Sequence, residues 1–141
     1  MKSITRVFLV IGVVSALNFM VQAQQGFNYQ AVLRSSSGQI LANQNTSLRI
    51  SLTSNDGLTT YFSEIHSVTS TAQGLVNVVV GNGTSQTGSL ATVPWEGNQI
   101  KLKMEVKVGQ ATSYTDMGSQ VLQAVPYAYF AANTKEINSN P

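Results

Sequence analysis

Cysteine is absent from this chain of 141 residues. No disulfide framework, thiolate metal centre or cysteine nucleophile can be built, so stability must rest on an apolar core. A lipid-modified cysteine is excluded for the same reason. Charge is almost as scarce, at 10% of residues. Setting aside Lys2 and Arg6 leaves six basic residues against six acidic ones. A balanced chain exerts no general pull on nucleic acid or on an anionic membrane. Solubility falls instead to Ser, Thr, Asn and Gln. Long hydrophobic runs are missing too. The one uncharged apolar run, from Val7 to Leu17, is shorter than the ~20 residues that a spanning helix needs, and Asn18 and Gln22 follow it.

That run has a different meaning. Lys2 and Arg6 precede it, and Val21-Gln22-Ala23 offers the modest residues that a signal peptidase reads. The pattern predicts a secretory signal over residues 1–23, a domain over 24–132 and a polar tail over 133–141. The expected location is extracellular or at the cell surface, with the periplasm open as an alternative. No stable membrane insertion is expected after cleavage.

The remainder alternates with period two between short turn clusters, as an all-β sandwich or barrel does. Phe27, Tyr29, Ala31 and Leu33 share one face of the first run. Leu48, Ile50 and Leu52 share a face of the second, and Asn55-Asp56-Gly57 closes it with a hairpin signal. Residues 61–69 read as a strand rich in aromatic and β-branched residues. Leu75 to Val80 is nearly all apolar and reads as a central strand. In Ile100–Val108, the residues Ile100, Leu102, Met104, Val106 and Val108 oppose Lys101, Lys103, Glu105 and Lys107. A slip of one residue would bury four charges, so the facing is strongly specified and the sheet is antiparallel with one wet face. Residues 114–122 add a last strand. Residues 81–98 are expected to be irregular and to cross between sheets. Pro126 suits the start of a helix, which would carry Tyr127, Tyr129 and Phe130.

Several segments together resemble a recurrent N-terminal domain of secreted and surface proteins in the Bacteroidetes, of tail-fibre-like, stalk-bearing kind. They are Gln25 to Arg34, Ala72-Gln73-Gly74-Leu75-Val76-Asn77, Gly81-Asn82-Gly83, Tyr114-Thr115-Asp116-Met117-Gly118 and Val125-Pro126-Tyr127-Ala128. The resemblance implies a structural role outside the cell and no established active site.

Candidate chemistry is thin. His66 is the only histidine, and its neighbours Ile65, Ser67 and Val68 suit an ordinary strand residue. No clustered ligand spacing accompanies it, so neither a metal nor another cofactor is expected. A serine hydrolase would need His66 with Asp56, Glu64 or Asp116, and there is no Gly-x-Ser-x-Gly elbow. Gly81-Asn82-Gly83 lacks the Lys-Ser/Thr ending of a phosphate loop and reads as a turn leaving a strand. Val93-Pro94-Trp95 is expected to plug the open end of the sandwich, since Trp is usually well buried. The competing reading makes Trp95 a sugar-stacking platform. Tyr127, Tyr129 and Phe130 cannot all face the domain from one short helix, which makes them candidates for docking a partner.

The sequence thus predicts an antiparallel β-sandwich of immunoglobulin-like or similar Greek-key type with a short C-terminal helical segment. It is expected to be a non-catalytic structural or adhesive surface module. The alternative is a glycan- or protein-binding module using Trp95 and the loop from Gly81 to Asn98. Expected partners are a second copy of the chain or another surface protein.

Overall fold

The computed structural model describes residues 26–96 and 98–123. The expected signal segment, the C-terminal helical segment with Tyr127, Tyr129 and Phe130, and the polar tail lie outside the described residues. Seven strands run through those described: β1 Phe27–Val32, β2 Asn45–Thr53, β3 Thr60–Thr69, β4 Leu75–Val80, β5 Thr84–Gly88, β6 Lys101–Val108 and β7 Thr115–Val121. They form two antiparallel sheets. One has the order β5-β3-β2-β6-β7, and the other holds only β1 and β4. Among the described residues no helix is long and apolar enough to cross a membrane.

Pleating explains the core. Leu48, Ile50 and Leu52 lie opposite Val106, Met104 and Leu102 across the β2–β6 ladder. In a pleated sheet these directly opposed residues project to one face, and all six are buried. Phe27, Tyr29 and Ala31 oppose Val80, Val78 and Val76 in the small sheet. The two inward faces meet in one core, to which Leu33, Phe62, Val93 and Ile100 also belong. On the outward face Arg49, Lys103, Glu105 and Asp116 form a charge ladder, with Arg49–Glu105 at 3.0 Å, Lys103–Glu105 at 3.5 Å and Lys103–Asp116 at 3.3 Å. The facing expected for Ile100–Val108 therefore holds.

Three expectations are corrected. Leu75–Val80 is not a central strand. Within the described residues β4 has β1 as its only strand partner, and its continuous apolar character reflects an inner face on the core and a half-covered outer one. Residues 81–98 are not simply irregular. The chain does cross between sheets at Gly81–Gly83, but it then forms β5 on the edge of β3 and a short 3₁₀ turn, Leu90–Thr92. β5 is all polar or Gly and wholly exposed, so it carried no alternating signal. The plug is not Trp95. Val93 is the residue inserted into the core, at 4% exposure, whereas Trp95 stands 45% exposed.

Candidate functional site

A charged residue at an inward position of a strand has to find partners or unfold the strand. Phe62 and Glu64 oppose Leu52 and Ile50 across the β2–β3 ladder, and His66 opposes Leu48. Glu64 therefore projects into the core, where it is 0% exposed. Its Oε1 takes hydrogen bonds from the backbone N–H of Gly81 at 2.9 Å and lies 2.8 Å from His66 Nε2. Its Oε2 accepts from the N–H of Gly83 at 2.8 Å and from Gln86 Nε2 at 3.2 Å. Gln86 Nε2 also reaches the carbonyls of Gly81 and Gly83, at 2.8 and 3.2 Å. Four partners around one carboxylate offset the cost of removing it from water, which a lone buried ion could not survive.

The Gly-Asn-Gly turn has a specific reason for its composition. Gly81 has φ +105°, a region L side chains rarely adopt. At Gly83 the reason is space, since a Cβ there would sit 2.7 Å from Glu64 Oε2. The amides of Gly81 and Gly83, two positions apart in a concave turn, are placed to cradle an anion. In this chain the anion is the protein's own carboxylate, so the turn does not offer that cradle to a phosphate. In the sequence Gly81–Gly83 reads as a turn and His66 as an ordinary strand residue; the structure adds that Glu64 joins the two. The signal was available: Phe62, Glu64, His66 and Val68 alternate, so burying Phe62 buries Glu64.

The remaining candidates do not converge on this cluster. Of the carboxylates considered for a triad, only Glu64 meets His66. Asp56 closes the β2–β3 turn, where the hydroxyl of Ser54 and the N–H of Leu58 hold its carboxyl below the usual range. Asp116 sits on β7, lowered chiefly by the N–H of Gly118 and also by Lys103. Reciprocally, the hydrogen bond to Asp116 raises the ammonium of Lys103. No group of three or more His, Asp or Glu side chains placed to hold a metal occurs among the described residues.

Two surface features stand out. On the outer face of the larger sheet the guanidinium of Arg49 lies 4.0 Å from the centroid of Tyr114, and Lys107 Nζ lies 5.0 Å from the same ring. The Tyr114 hydroxyl bonds Ser47 Oγ at 2.8 Å, which fixes the ring under both cations. The Arg49 Nε is close to Glu105 but not aligned to donate to it, so that pair is a charge contact. At the other end Trp95 donates its indole N–H to the carbonyl of Leu90 at 2.9 Å. That bond fixes the indole while leaving much of it in solvent.

No curated protein and no solved structure matches the chain. Residues 28–120 match the family described as Domain of unknown function (DUF8740). The match runs from the second residue of β1 to the penultimate residue of β7 and includes the whole carboxylate-centred cluster. The chain therefore belongs to the DUF8740 family.

Proposed function

We propose that this protein is an exported, non-catalytic structural or adhesive module of the cell surface, of the kind that the Bacteroidetes resemblance implies. In this reading the two sheets form a sandwich of immunoglobulin-like or similar Greek-key type that ends in a short helical segment. One observation carries the non-catalytic reading: the pair on which acid–base chemistry would have to rest is engaged internally. Glu64 is 0% exposed and both of its oxygens hold the β4–β5 turn. A general acid or base must reach the proton it moves, and Glu64 reaches only its own chain. The test is surface labelling of intact cells. Antibody against the purified domain should bind them, and protease added outside should remove the epitope. Intact mass of the exported protein should show loss of residues 1–23. Protection from protease on whole cells would refute the surface role.

A second reading is kept because Trp95 is half exposed. A fixed, solvent-facing indole on the loop between β5 and β6 can stack on a sugar ring. A saturable change in tryptophan fluorescence with a glycan from an array, abolished by Trp95→Ala, would favour the binding module over the scaffold.

A further inference from the structure

The chain between β4 and β6 folds around a small cleft. Among the described residues this cleft has a volume of about 200 Å³ and is lined by Phe62, Gly81, Gln86, Gly88, Ser89 and Leu90. Drug-sized ligands occupy roughly 300–1,000 Å³, so it is sized for one small ring. Its floor is apolar, since Phe62 belongs to the core and Leu90 packs against it. Its rim is polar and held in place. The amide nitrogen of Gln86 lies against three acceptors, Glu64 Oε2 and the carbonyls of Gly81 and Gly83. Only an NH₂ suits that position, and Oε1 is thereby turned away from the cluster as a fixed acceptor. Ser89 Oγ accepts from the N–H of Ala91 at 3.3 Å, which leaves its own proton to donate. Leu90 joins two features: it lines the cleft, and its carbonyl takes the indole N–H of Trp95. The half-exposed indole therefore stands beside the cleft.

We propose that this cleft is a sugar subsite, which takes the terminal ring of a neutral oligosaccharide while the next ring stacks on Trp95. The proposal rests on the binding-module reading of Trp95 and adds to it a second contact and a sugar class. A pyranose ring pairs an apolar C–H face with hydroxyls that donate and accept. The cleft answers with an apolar floor, an acceptor in Gln86 Oε1 and a donor in the Ser89 hydroxyl. Apolar walls carrying a few placed polar groups are the usual make-up of small-ligand sites. Because Gln86 is already pinned, little side-chain freedom is lost on binding. Charge then selects among sugars. Glu64 lies 3.2 Å from Gln86 Nε2, and Glu96 follows Trp95 in the chain. Both are acidic, and no basic side chain is among those lining the cleft. An acidic sugar would be repelled at either end.

The test is calorimetric titration of the full chain with maltose, cellobiose, lactose and glucose. At least one disaccharide should bind saturably, about tenfold more tightly than glucose, because its second ring adds an aromatic contact. The uronic-acid form of that disaccharide should bind more weakly. Trp95→Ala should remove the advantage of the disaccharide over glucose. Ser89→Ala should weaken both sugars about three- to tenfold, as the loss of one hydrogen bond does, and Ser89→Thr, which keeps the hydroxyl, should bind like the parent. Binding that needs Trp95 but is indifferent to Ser89→Ala would overturn the cleft and leave the stacking reading standing. Tighter binding of the uronic acid would overturn the neutral assignment. No binding of any of the three disaccharides would overturn the proposal as a whole.

Discussion

Glu64→Gln is the substitution that most directly tests how this fold is held together. It preserves size and shape but replaces an oxygen that accepts with an NH₂ that donates. If the amide nitrogen takes the Oε1 position, it faces Gly81 N–H, a donor at 2.9 Å. His66 can turn an unprotonated nitrogen toward it, but the Gly81 amide cannot adapt. If it takes the Oε2 position, it faces Gly83 N–H at 2.8 Å and the amide of Gln86. Gln86 cannot simply rotate its amide, because the same nitrogen serves the carbonyls of Gly81 and Gly83. Either way one buried backbone N–H loses its acceptor, and the bonds that remain lose their charge assistance. An orphaned buried donor costs about 1–3 kcal/mol and a charged hydrogen bond exceeds a neutral one by about 1 kcal/mol, so the expected loss is about 2–4 kcal/mol. For a domain of this size that corresponds to a fall in midpoint of roughly 10–20 °C. Thermal and urea denaturation followed by circular dichroism at pH 7 measure it, with the exposed Glu96→Gln as control. Amide exchange at Gly81 and Gly83 should quicken in the same variant. A midpoint within about 2 °C of the parent would refute the reasoning, since that shift amounts to well under 1 kcal/mol.

Met104→Lys should unfold or severely destabilise the domain, because Met104 is 6% exposed and an unpaired charge would enter the core. Lys103→Met loses only exposed ion pairs with Glu105 and Asp116 and should cost at most about 1 kcal/mol; equal melting of the two variants would show the facing of β6 to be wrong. Gly83→Ala places a methyl 2.7 Å from Glu64 Oε2 and should lower stability by about 1–3 kcal/mol, read by urea denaturation. Asp116 has a carboxyl pKa below its unfolded value, so its contribution is present above about pH 4 and is lost as pH falls through the lower folded value. Asp116→Asn should therefore flatten the acid limb of the stability curve below about pH 4, by under about 1 kcal/mol because the pair is exposed, and an unchanged limb would count against that assignment.

What the sequence determined by itself was local and periodic. The alternation Lys101 to Val108 allows one facing only, because the other would bury four charges, and β6 adopts that facing. The turn at Asn55-Asp56-Gly57 follows from turn chemistry at adjacent positions, with Gly57 at φ +77°, although the β2–β3 connection takes the six residues Ser54–Thr59 and not the tight hairpin that an Asp-Gly pair favours. The all-β class and the antiparallel sheets follow from the same short-range rules. What tertiary structure decided was every question whose answer lies far away along the chain. β4 looked central because its residues are apolar, but how many strands flank a strand is settled by other strands. β5 had no pattern to read and exists because the edge of β3 was there to pair with it. Trp95 is exposed because Val93 fits the end of the core and the indole finds its partner in Leu90. Glu64, Gly81, Gly83 and Gln86 are unremarkable as residues spread over 23 positions of sequence. Only when β3 and the β4–β5 turn close on one another do they share one buried charge, because a carboxylate in a core must draw its donors from wherever the fold brings them.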